Sequence, residues 1–345
     1  MTPKSLIRNI TWRLSRIFLS NEQHAWNKAK TLNAQFKKGE IIPTDEYTST
    51  VPVKQFDGKR VVCLYDGKIK NGGLADRLRG IVSVYKICKE RNYDFKIIFN
   101  RPFELTNYLV PNKVDWEIQK SELNYNTEIT DICYIDTKTG NEYEAKKQEQ
   151  WFRQEFKRKY QEYHVRTNAI FSYNGDYSTL FNELFKPSPR LESSIEREKN
   201  ILGTSYISTS FRFMNLLNDF NETCVLHSKM TQEEQSKLIS KNIGQLQLLH
   251  DKHPNKRILV NSDSITFLQT AAKLDYVYVI PGNVTHIDGK NSNDEYELYE
   301  KTFLDFFMIA NAERIYLLRT GEMYNSGYPF AASKVYNKPF ERIEF

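Results

Sequence analysis

Motifs that define several common classes of nucleotide-binding protein are absent from this sequence of 345 residues. It contains no G-x-G-x-x-G, which counts against a Rossmann dinucleotide site, and no G-x-x-x-x-G-K-[ST], which counts against a P-loop. Its few cysteines form neither a C-x-x-C pair nor a metal-binding spacing, so we expect reduced thiols in a cytoplasmic protein. The four cysteines are Cys63, Cys88, Cys133 and Cys224.

A long apolar run is also missing from the beginning of the chain. Residues 4–19 mix apolar side chains with Lys and Arg, which is typical of a basic amphipathic helix and not of a signal-peptide core or a transmembrane helix. Two interpretations stay open for this helix. It lies peripherally on the cytoplasmic face of an anionic membrane, or it docks on its own protein.

The composition is that of a soluble globular protein, with 40% hydrophobic and 27% charged residues. The length accommodates two α/β domains, each with its own core. The net charge of +6 is mild. It suits an anionic ligand or membrane surface and gives no reason to expect nucleic acid as a partner.

Residues 61–99 predict a strand, a glycine-bearing loop, an amphipathic helix and a second strand. Gly72 and Gly73 open the helix, and Arg77 and Arg79 lie near its start. Such a turn presents backbone N–H groups and a positive helix end to an anion at the carboxyl end of a strand. Taken alone, two adjacent glycines at such a position more often form only a tight turn.

The next part of the chain has a less regular pattern. Residues 20–57 are polar and predict a connecting arm with a helix around 22–37. Residues 131–135 predict a short strand. Residues 137–164 predict a solvated helix whose aromatic side chains face the core, rather than a surface that binds RNA or a membrane. These aromatic residues are Trp151, Phe152, Phe156 and Tyr160.

Strand-like and helix-like segments alternate in the second half, after a break at Pro187 and Pro189. Ser188 or Ser193 caps the first helix after this break. The alternation predicts a parallel sheet covered on both sides. The strand-like segments are 204–211, 256–262, 276–281 and 314–318.

Polar residues follow three of these strands, at the edge where open α/β sheets bind ligands. Arg212 can make a bidentate contact with a phosphate. Asp263 accepts hydrogen bonds from a base or ribose, or else caps the following helix. Ser326, at a helix start, suits a phosphate oxygen. Together with the Gly72 loop they predict a nucleoside diphosphate site in a cleft between two α/β domains.

Five motifs in this order resemble the fucosyltransferase superfamily of the GT-B fold: GGLADRLRG, LFKPSPRLESSI, STSFRF, LVNSDS and DFFMIANAERIYLLRTGEMYNSGYPFAAS. The resemblance implies an α/β protein with two Rossmann-like domains facing across a cleft. It also implies a bacterial member that decorates a surface glycan such as lipopolysaccharide or capsule. The domains we predict are an N-terminal helix and arm (1–57), an acceptor-side domain (58–186) and a nucleotide-sugar domain (187–345).

The reaction implied by the resemblance is an inverting transfer of fucose from GDP-fucose to a sugar hydroxyl, with no metal or other cofactor. The sequence contains no Asp-x-Asp triplet, the motif that holds a metal in many transferases, so an arginine must neutralise the departing diphosphate. Arg212, in the position of the family's His-x-Arg arginine, is expected to do so. Residues expected to bind the donor are Gly72, Gly73, Arg77, Ser210, Asp263, Ser264, Ser326, Gly327 and Tyr328.

Two departures from the family pattern leave the donor open. Ser210 stands at the position of the family's His, and the acidic residue that usually follows the Arg closely is displaced, with Asp219 the nearest candidate. Another GDP- or UDP-linked deoxysugar, or a non-catalytic nucleotide- or polysaccharide-binding relative, is therefore the alternative. A kinase or sulfotransferase would need a phosphate-cradling loop that the sequence lacks.

The base that takes the proton of the acceptor hydroxyl is not fixed by the sequence. We place Asp76 first, although an acidic residue at a helix start more often complements the helix dipole. The other candidates are Asp219, His286, Asp288 and Glu322.

Overall fold

The computed structural model describes residues 21–40, 44–69, 71–135, 142–168, 175–219, 230–282, 285, 287 and 296–345. These residues form two compact units. The first unit takes its described residues from the stretches before 105 and between 111 and 184. The second unit takes them from 105–110, 185–287 and 296–345.

Both units combine α-helices with β-strands. Up to residue 187 they are α1 (Asn21–Lys37), β1 (Arg60–Tyr65), α2 (Leu74–Arg91), β2 (Asp94–Phe99), β3 (Leu109–Pro111), β4 (Thr130–Ile135), α3 (Glu142–Glu155), β5 (Glu162–Thr167), α4 (Tyr177–Leu184) and β6 (Phe185–Pro187). After it they are α5 (Pro189–Leu202), β7 (Tyr206–Phe211), α6 (Gln232–Lys252), β8 (Arg257–Ser262), α7 (Ile265–Ala271), β9 (Val277–Tyr278), α8 (Tyr296–Asn311), β10 (Arg314–Arg319), α9 (Tyr328–Val335) and β11 (Phe340–Glu344).

Each unit is built on one parallel sheet. The first sheet has the strand order β2-β1-β5-β4, and the second has the order β11-β10-β7-β8-β9. The order reverses between β1 and β5 in the first sheet and between β7 and β10 in the second. We call the carboxyl ends of these strand pairs the first and the second switch point, because open α/β sheets bind ligands where the strand order reverses. Strands β3 and β6 form a separate two-stranded sheet.

The predicted strand, helix and strand of residues 61–99 are confirmed as β1, α2 and β2. Helix α2 packs closely on the sheet because Gly80 has no side chain: a Cβ there would lie 2.5 Å from the Thr167 carbonyl oxygen and 2.9 Å from the Tyr65 hydroxyl. The apolar stripe of α2, which includes Leu78 and Ile81, is buried. The glycine loop is thereby held at the carboxyl end of β1.

The stretch 137–164 differs from its prediction. A helix is present, but it ends at Glu155, and a strand that was not predicted begins at Glu162. Phe152 and Phe156 are buried as expected. Strand β5 was missed because its sequence, EYHVRT, is largely polar and therefore typical of an exposed segment. In the structure all six residues are buried.

Other boundaries are close to those expected. Ser188, not Ser193, is the N-cap of α5, with its Oγ accepting from the Leu191 N–H at 3.3 Å. The strand predicted at 276–281 is short, with only residues 277 and 278 in the sheet, and the edge strand β11 was not predicted. The predicted arm is partly helical, and its residue Thr48 forms a β-bridge with Asn126 of the first unit.

Three cysteines of the first unit, Cys63, Cys88 and Cys133, are free thiols and fully buried. Burial raises the pKa of each thiol. Cys224 and the amphipathic segment 4–19 lie outside the described residues. Among the helices that are described, none combines the length and the apolar character that a membrane crossing requires.

Candidate functional site

The loops of β7 and β10 are joined at the second switch point. Arg212 is the first residue after β7, and residues 320–327 follow β10. The Tyr324 N–H donates a 2.9 Å hydrogen bond to the carbonyl oxygen of Arg212. The switch point therefore carries an arginine held by its backbone at the place where a parallel sheet offers a ligand site.

The guanidinium of Arg212 is partly exposed, with 18% of its side chain accessible. Its Nη1 lies 3.4 Å from Oδ2 of Asp263, whose side chain is fully buried. The sequence predicted both residues for one site, and the structure brings them together. Because a guanidinium has five N–H donors in a plane, it can serve a carboxylate and a phosphate at once.

Asp263 holds the loop that carries Arg212. Its Oδ1 accepts from the Phe213 N–H at 2.8 Å, and its Oδ2 accepts from the Met214 N–H at 2.7 Å. Burial raises the pKa of Asp263, against the opposing effects of Arg212 and the two N–H groups. Met214 has a φ of 56°, which gives the loop its tight turn.

The expectation that Asp263 is itself the helix cap is wrong. Ser264 is the N-cap of α7, with its Oγ accepting from the Phe267 N–H at 3.0 Å. Asp219 supports the same helix start, because its Oδ2 accepts from the Ser264 hydroxyl at 2.7 Å and from the Thr266 N–H at 2.8 Å. These contacts show that Asp219 stabilises the start of α7. Its assignment as the catalytic base stays a prediction.

The loop after β10 closes on itself before α9 begins. The Ser326 N–H donates to the Tyr324 carbonyl at 3.0 Å, and the Ser326 hydroxyl accepts from the Tyr328 N–H at 3.3 Å. Gly327 is the N-cap residue. The Tyr328 hydroxyl donates to the carbonyl of Thr302 on α8, which is a packing contact inside the second unit. A donor contact of Ser326, Gly327 or Tyr328 stays a prediction.

A buried polar cluster adjoins the same edge of the second sheet. Ser210, whose hydroxyl is buried, is paired in register with Asn261 of β8. The side chain of Asn261 interacts with Asp305 of α8, and Lys301 donates to both oxygens of Asp305 at 2.9 Å. Burial raises the pKa of Asp305, although Lys301 opposes this shift.

Lys301 also lines a cavity of about 420 Å³, together with Arg197, Pro281, Gly282, Glu297, Leu298, Glu300 and Leu304. The volume falls within the range of small-molecule pockets. Lys301 belongs to α8, whose other buried residues are mostly apolar. The signal that was missed is the i, i+4 pair of Lys301 and Asp305 on that otherwise apolar helix.

The glycine loop of the first unit is organised by Asp76. Gly72 has a φ of +73°, and a Cβ there would lie 2.6 Å from Asp76 Oδ2. The Gly73 N–H donates to this oxygen at 3.3 Å, and Arg79 forms an ion pair with the other oxygen. These contacts are those of a residue that stabilises a helix start. A role for Asp76 as the base therefore stays a prediction.

Arg77 is buried and also stabilises this loop. Its Nε donates to the Gly72 carbonyl at 2.9 Å, and its Nη1 donates to the Arg101 carbonyl at 2.8 Å. Its guanidinium lies 5.3 Å from the centre of the Phe99 ring. The contacts tie the glycine loop to the end of β2, and donor binding by Arg77 stays a prediction. Of the remaining base candidates, Glu322 is exposed, and His286 and Asp288 lie outside the described residues.

The architecture, with two α/β units on parallel sheets, is that of the GT-B fold of fucosyltransferase structures. FUT1 of Arabidopsis thaliana, solved as a mutant in complex with GDP, matches with a TM-score of 0.52 and 10% identity, over 93% of this chain and 77% of that one. POFUT1 in complex with GDP matches with a TM-score of 0.50 and 10% identity, over 84% of this chain and 99% of that one. These likenesses concern the fold. No protein-family model matches the sequence, and no curated protein matches it at a significant level.

Proposed function

We propose that this protein is an inverting, metal-independent glycosyltransferase that moves fucose from GDP-fucose to a sugar hydroxyl of a surface glycan. The observation that carries the proposal is Arg212, which is anchored at the second switch point through its backbone and through Asp263. The fold of GDP-bound fucosyltransferase structures supports the choice of donor class.

The chemistry requires a cation at the departing group. Glycosyl transfer develops positive charge on the sugar and negative charge on the diphosphate as the bond between them breaks. A preorganised cation stabilises this charge most when it is fixed before the reaction begins. Arg212 meets this requirement, since its backbone carbonyl is tied to Tyr324 and its loop is tied to Asp263. In this proposal Arg212 holds the β-phosphate, and no metal takes part.

The cavity next to Lys301 gives the second unit room for more of a nucleotide than its phosphates. It contains both charged and apolar side chains, as pockets for small polar ligands do. We therefore assign donor binding to the second unit. We further propose that the protein works in the cytoplasm. Residues 4–19 are the segment that we propose contacts an anionic membrane.

Donor binding is the decisive test. Isothermal titration with GDP, GDP-fucose, UDP and UDP-galactose, each with and without EDTA, is expected to show binding of the two guanosine ligands that EDTA does not change. A ligand at 100 times its Kd should add ~2.7 kcal/mol to the stability of the protein. Binding of UDP ligands alone would replace GDP-fucose by another donor, and the absence of all binding would refute the proposal.

Ser210 supports a second candidate, a non-catalytic relative that binds a sugar nucleotide or a polysaccharide. The resemblance assigns Ser210 to the position of the family's His, and the Ser210 hydroxyl is buried on the strand that pairs with Asn261. Turnover separates the two candidates. Release of GDP from GDP-fucose, measured with a coupled assay, supports the transferase, whereas tight GDP binding without any turnover supports the binding protein.

A further inference from the structure

The first switch point carries an ion pair that joins the two strands at which the order reverses. Asp66 follows directly after β1, and Arg166 lies near the carboxyl end of β5. Arg166 contacts both carboxylate oxygens, with Nη2 2.5 Å from Oδ2 and Nε 3.3 Å from Oδ1. The arginine is 1% exposed and the aspartate 21%. Asp66 is therefore a fixed carboxylate that reaches solvent at a ligand-type edge.

Behind this pair lies a row of buried polar side chains on one face of β5. Glu162, His164 and Arg166 alternate along the strand and are 0%, 0% and 1% exposed. Oε1 of Glu162 is 2.7 Å from Nε2 of His164, and Nδ1 of the same ring is 2.7 Å from the Tyr47 hydroxyl. Tyr47 in turn interacts with the guanidinium of Arg166. A continuous hydrogen-bonded chain thus runs from inside the unit to Asp66.

If its only role were structural, such a row of buried polar side chains would be an unfavourable way to stabilise the fold. Burying ionised groups is unfavourable, and well-packed apolar residues commonly give equal or greater stability. What the row supplies is a fixed orientation. The Glu162 carboxylate can only accept, so it accepts from Nε2–H of His164; with a neutral ring, Nδ1 then accepts from the Tyr47 hydroxyl, and Tyr47 lies against Arg166. Glu162, His164 and Arg166 are buried, whereas the Asp66 carboxylate is partly exposed at the carboxyl end of β1, where a ligand can reach it.

We propose that Asp66 takes the proton of the acceptor hydroxyl, with Arg166, Tyr47 and His164 as positioning residues. The inference rests on the proposed function. In the step, the acceptor oxygen forms a bond to the anomeric carbon, while the bond from that carbon to the diphosphate breaks and its electron pair leaves with GDP. The hydroxyl proton passes to Asp66, which later returns it to solvent.

The ionisation of Asp66 suits this role. Burial acts to raise its pKa, but the hydrogen bonds and charge of Arg166 outweigh burial and hold the pKa below its usual value. Asp66 is thus a carboxylate throughout the physiological pH range. A weak base suffices, because the attacking hydroxyl becomes strongly acidic once its oxygen is bonded to the anomeric carbon.

The test compares Asp66→Asn with Glu183→Gln. Glu183 is a matched control in the same unit: its side chain is 17% exposed, its pKa is also lowered, and Lys89 donates to both its oxygens at 2.6 Å. It pairs with the last turn of α2, at the opposite end of the sheet from Asp66. Two quantities are measured: GDP binding by calorimetry, and GDP release from saturating GDP-fucose. GDP release is measured once with water as the only acceptor and once with methyl β-D-galactopyranoside added as an acceptor.

We expect Asp66→Asn to lower GDP release by ~10²-fold or more, with GDP binding within about twofold of the parent protein. Glu183→Gln should change neither quantity. For Asp66→Ala, sodium formate should restore at least about tenfold of the lost rate, because a small carboxylate can replace the missing base. Parent-like turnover in Asp66→Asn, or a lost rate that formate leaves unchanged, overturns the inference while the proposed function stands. A parent protein without any turnover refutes the proposed function itself.

Two further variants cover the case in which Asp66→Asn does not fold. Asp66→Glu keeps the charge next to Arg166 and displaces the carboxylate by one methylene, so GDP release should fall roughly 10- to 100-fold. Tyr47→Phe removes only the hydroxyl of the row and should lower kcat several-fold with the KM for GDP-fucose unchanged. Tyr125→Phe is its control, because that ring packs edge-on against Tyr47 and His164. Equal kcat values in Tyr47→Phe and Tyr125→Phe would remove the positioning role.

Discussion

The carbonyl oxygen of Arg212 accepts a hydrogen bond from the N–H of Tyr324 at 2.9 Å. This bond connects the loops that leave β7 and β10, the two strands between which the second sheet reverses its order. Its consequence is that the guanidinium of Arg212 projects from a backbone that is fixed on both sides. A fixed cation loses little entropy when a phosphate arrives, and this is the basis of electrostatic preorganisation.

Replacement of Arg212 by alanine should lower the rate of GDP release from saturating GDP-fucose by ~10²–10³-fold, as loss of one charge-stabilising group does in other enzymes. The measurement is a coupled assay for GDP at several donor concentrations. Arg257→Ala is the control, since Arg257 begins β8 at the opposite end of the same sheet and donates to the Ile201 carbonyl at 2.9 Å. Near-normal turnover in Arg212→Ala would exclude this arginine from the mechanism.

Lowering the pH should destabilise the folded protein, because Asp66 and Glu162 become protonated. Burial acts to raise both pKa values, but hydrogen bonds from Arg166 to Asp66, and from His164 and Asn124 to Glu162, lower them overall. A carboxyl with a lowered folded pKa stabilises the protein above its unfolded pKa. This stabilisation is lost as the pH falls from ~5 through the folded pKa.

Thermal unfolding from pH 7 to pH 3 measures this effect, and Glu162→Gln should show a smaller loss of Tm on acidification than the parent protein. Asp263 and Asp305 affect the dependence of stability on pH in the opposite direction. Burial raises their pKa values, so the folded state binds their protons more tightly and acid does not weaken the protein through them. An unchanged acid slope in Glu162→Gln would contradict the assignment.

Gly80→Ala should destabilise the protein by about 1–3 kcal/mol, because the added methyl group meets the Thr167 carbonyl at 2.5 Å and α2 must shift away from the sheet. Gly244→Ala is the matched control. Gly244 lies inside α6, and a Cβ there meets nothing within 4 Å, so alanine should add about 0.5–1 kcal/mol through helix propensity. Urea unfolding of both variants gives the comparison, and equal stabilities would show that α2 does not depend on this close approach.

Lys301→Met should cost about 3–5 kcal/mol, because it leaves Asp305 buried without its ammonium partner. The double change Lys301→Met with Asp305→Leu should recover most of this loss, since an apolar pair can replace a buried ion pair. Urea unfolding of the two single variants and the double variant completes a cycle. If the double variant is no more stable than Lys301→Met, the two side chains are not energetically coupled.

The strands and helices with regular periodicity could be predicted from the sequence. The two α/β units were predicted from VVCLY, from the apolar stripe of α2 and from the alternation of strands and helices after Pro187. The same alternation placed Arg212 and Asp263 directly after predicted strands. Strand β5 could not be found in this way, because Glu162, His164 and Arg166 interrupt the apolar pattern on which strand prediction relies.

Side-chain partners were the second limit of prediction from sequence. Arg77 resembles a ligand-binding arginine in the sequence, but its guanidinium donates to the carbonyl oxygens of Gly72 and Arg101. Asp263 resembles a helix cap, but Ser264 takes that position. Such choices depend on residues that are distant along the chain and meet only after folding, so a local pattern does not decide between them.

The buried thiols of Cys63, Cys88 and Cys133 offer a direct view of how the first unit opens. They lie on β1, on α2 and on β4, and their raised pKa values leave almost no thiolate in the folded state. An alkylating reagent at neutral pH can therefore modify them only during excursions that expose these three elements to water. Mass spectrometry of the labelled sites over time would report the free energy of each excursion separately.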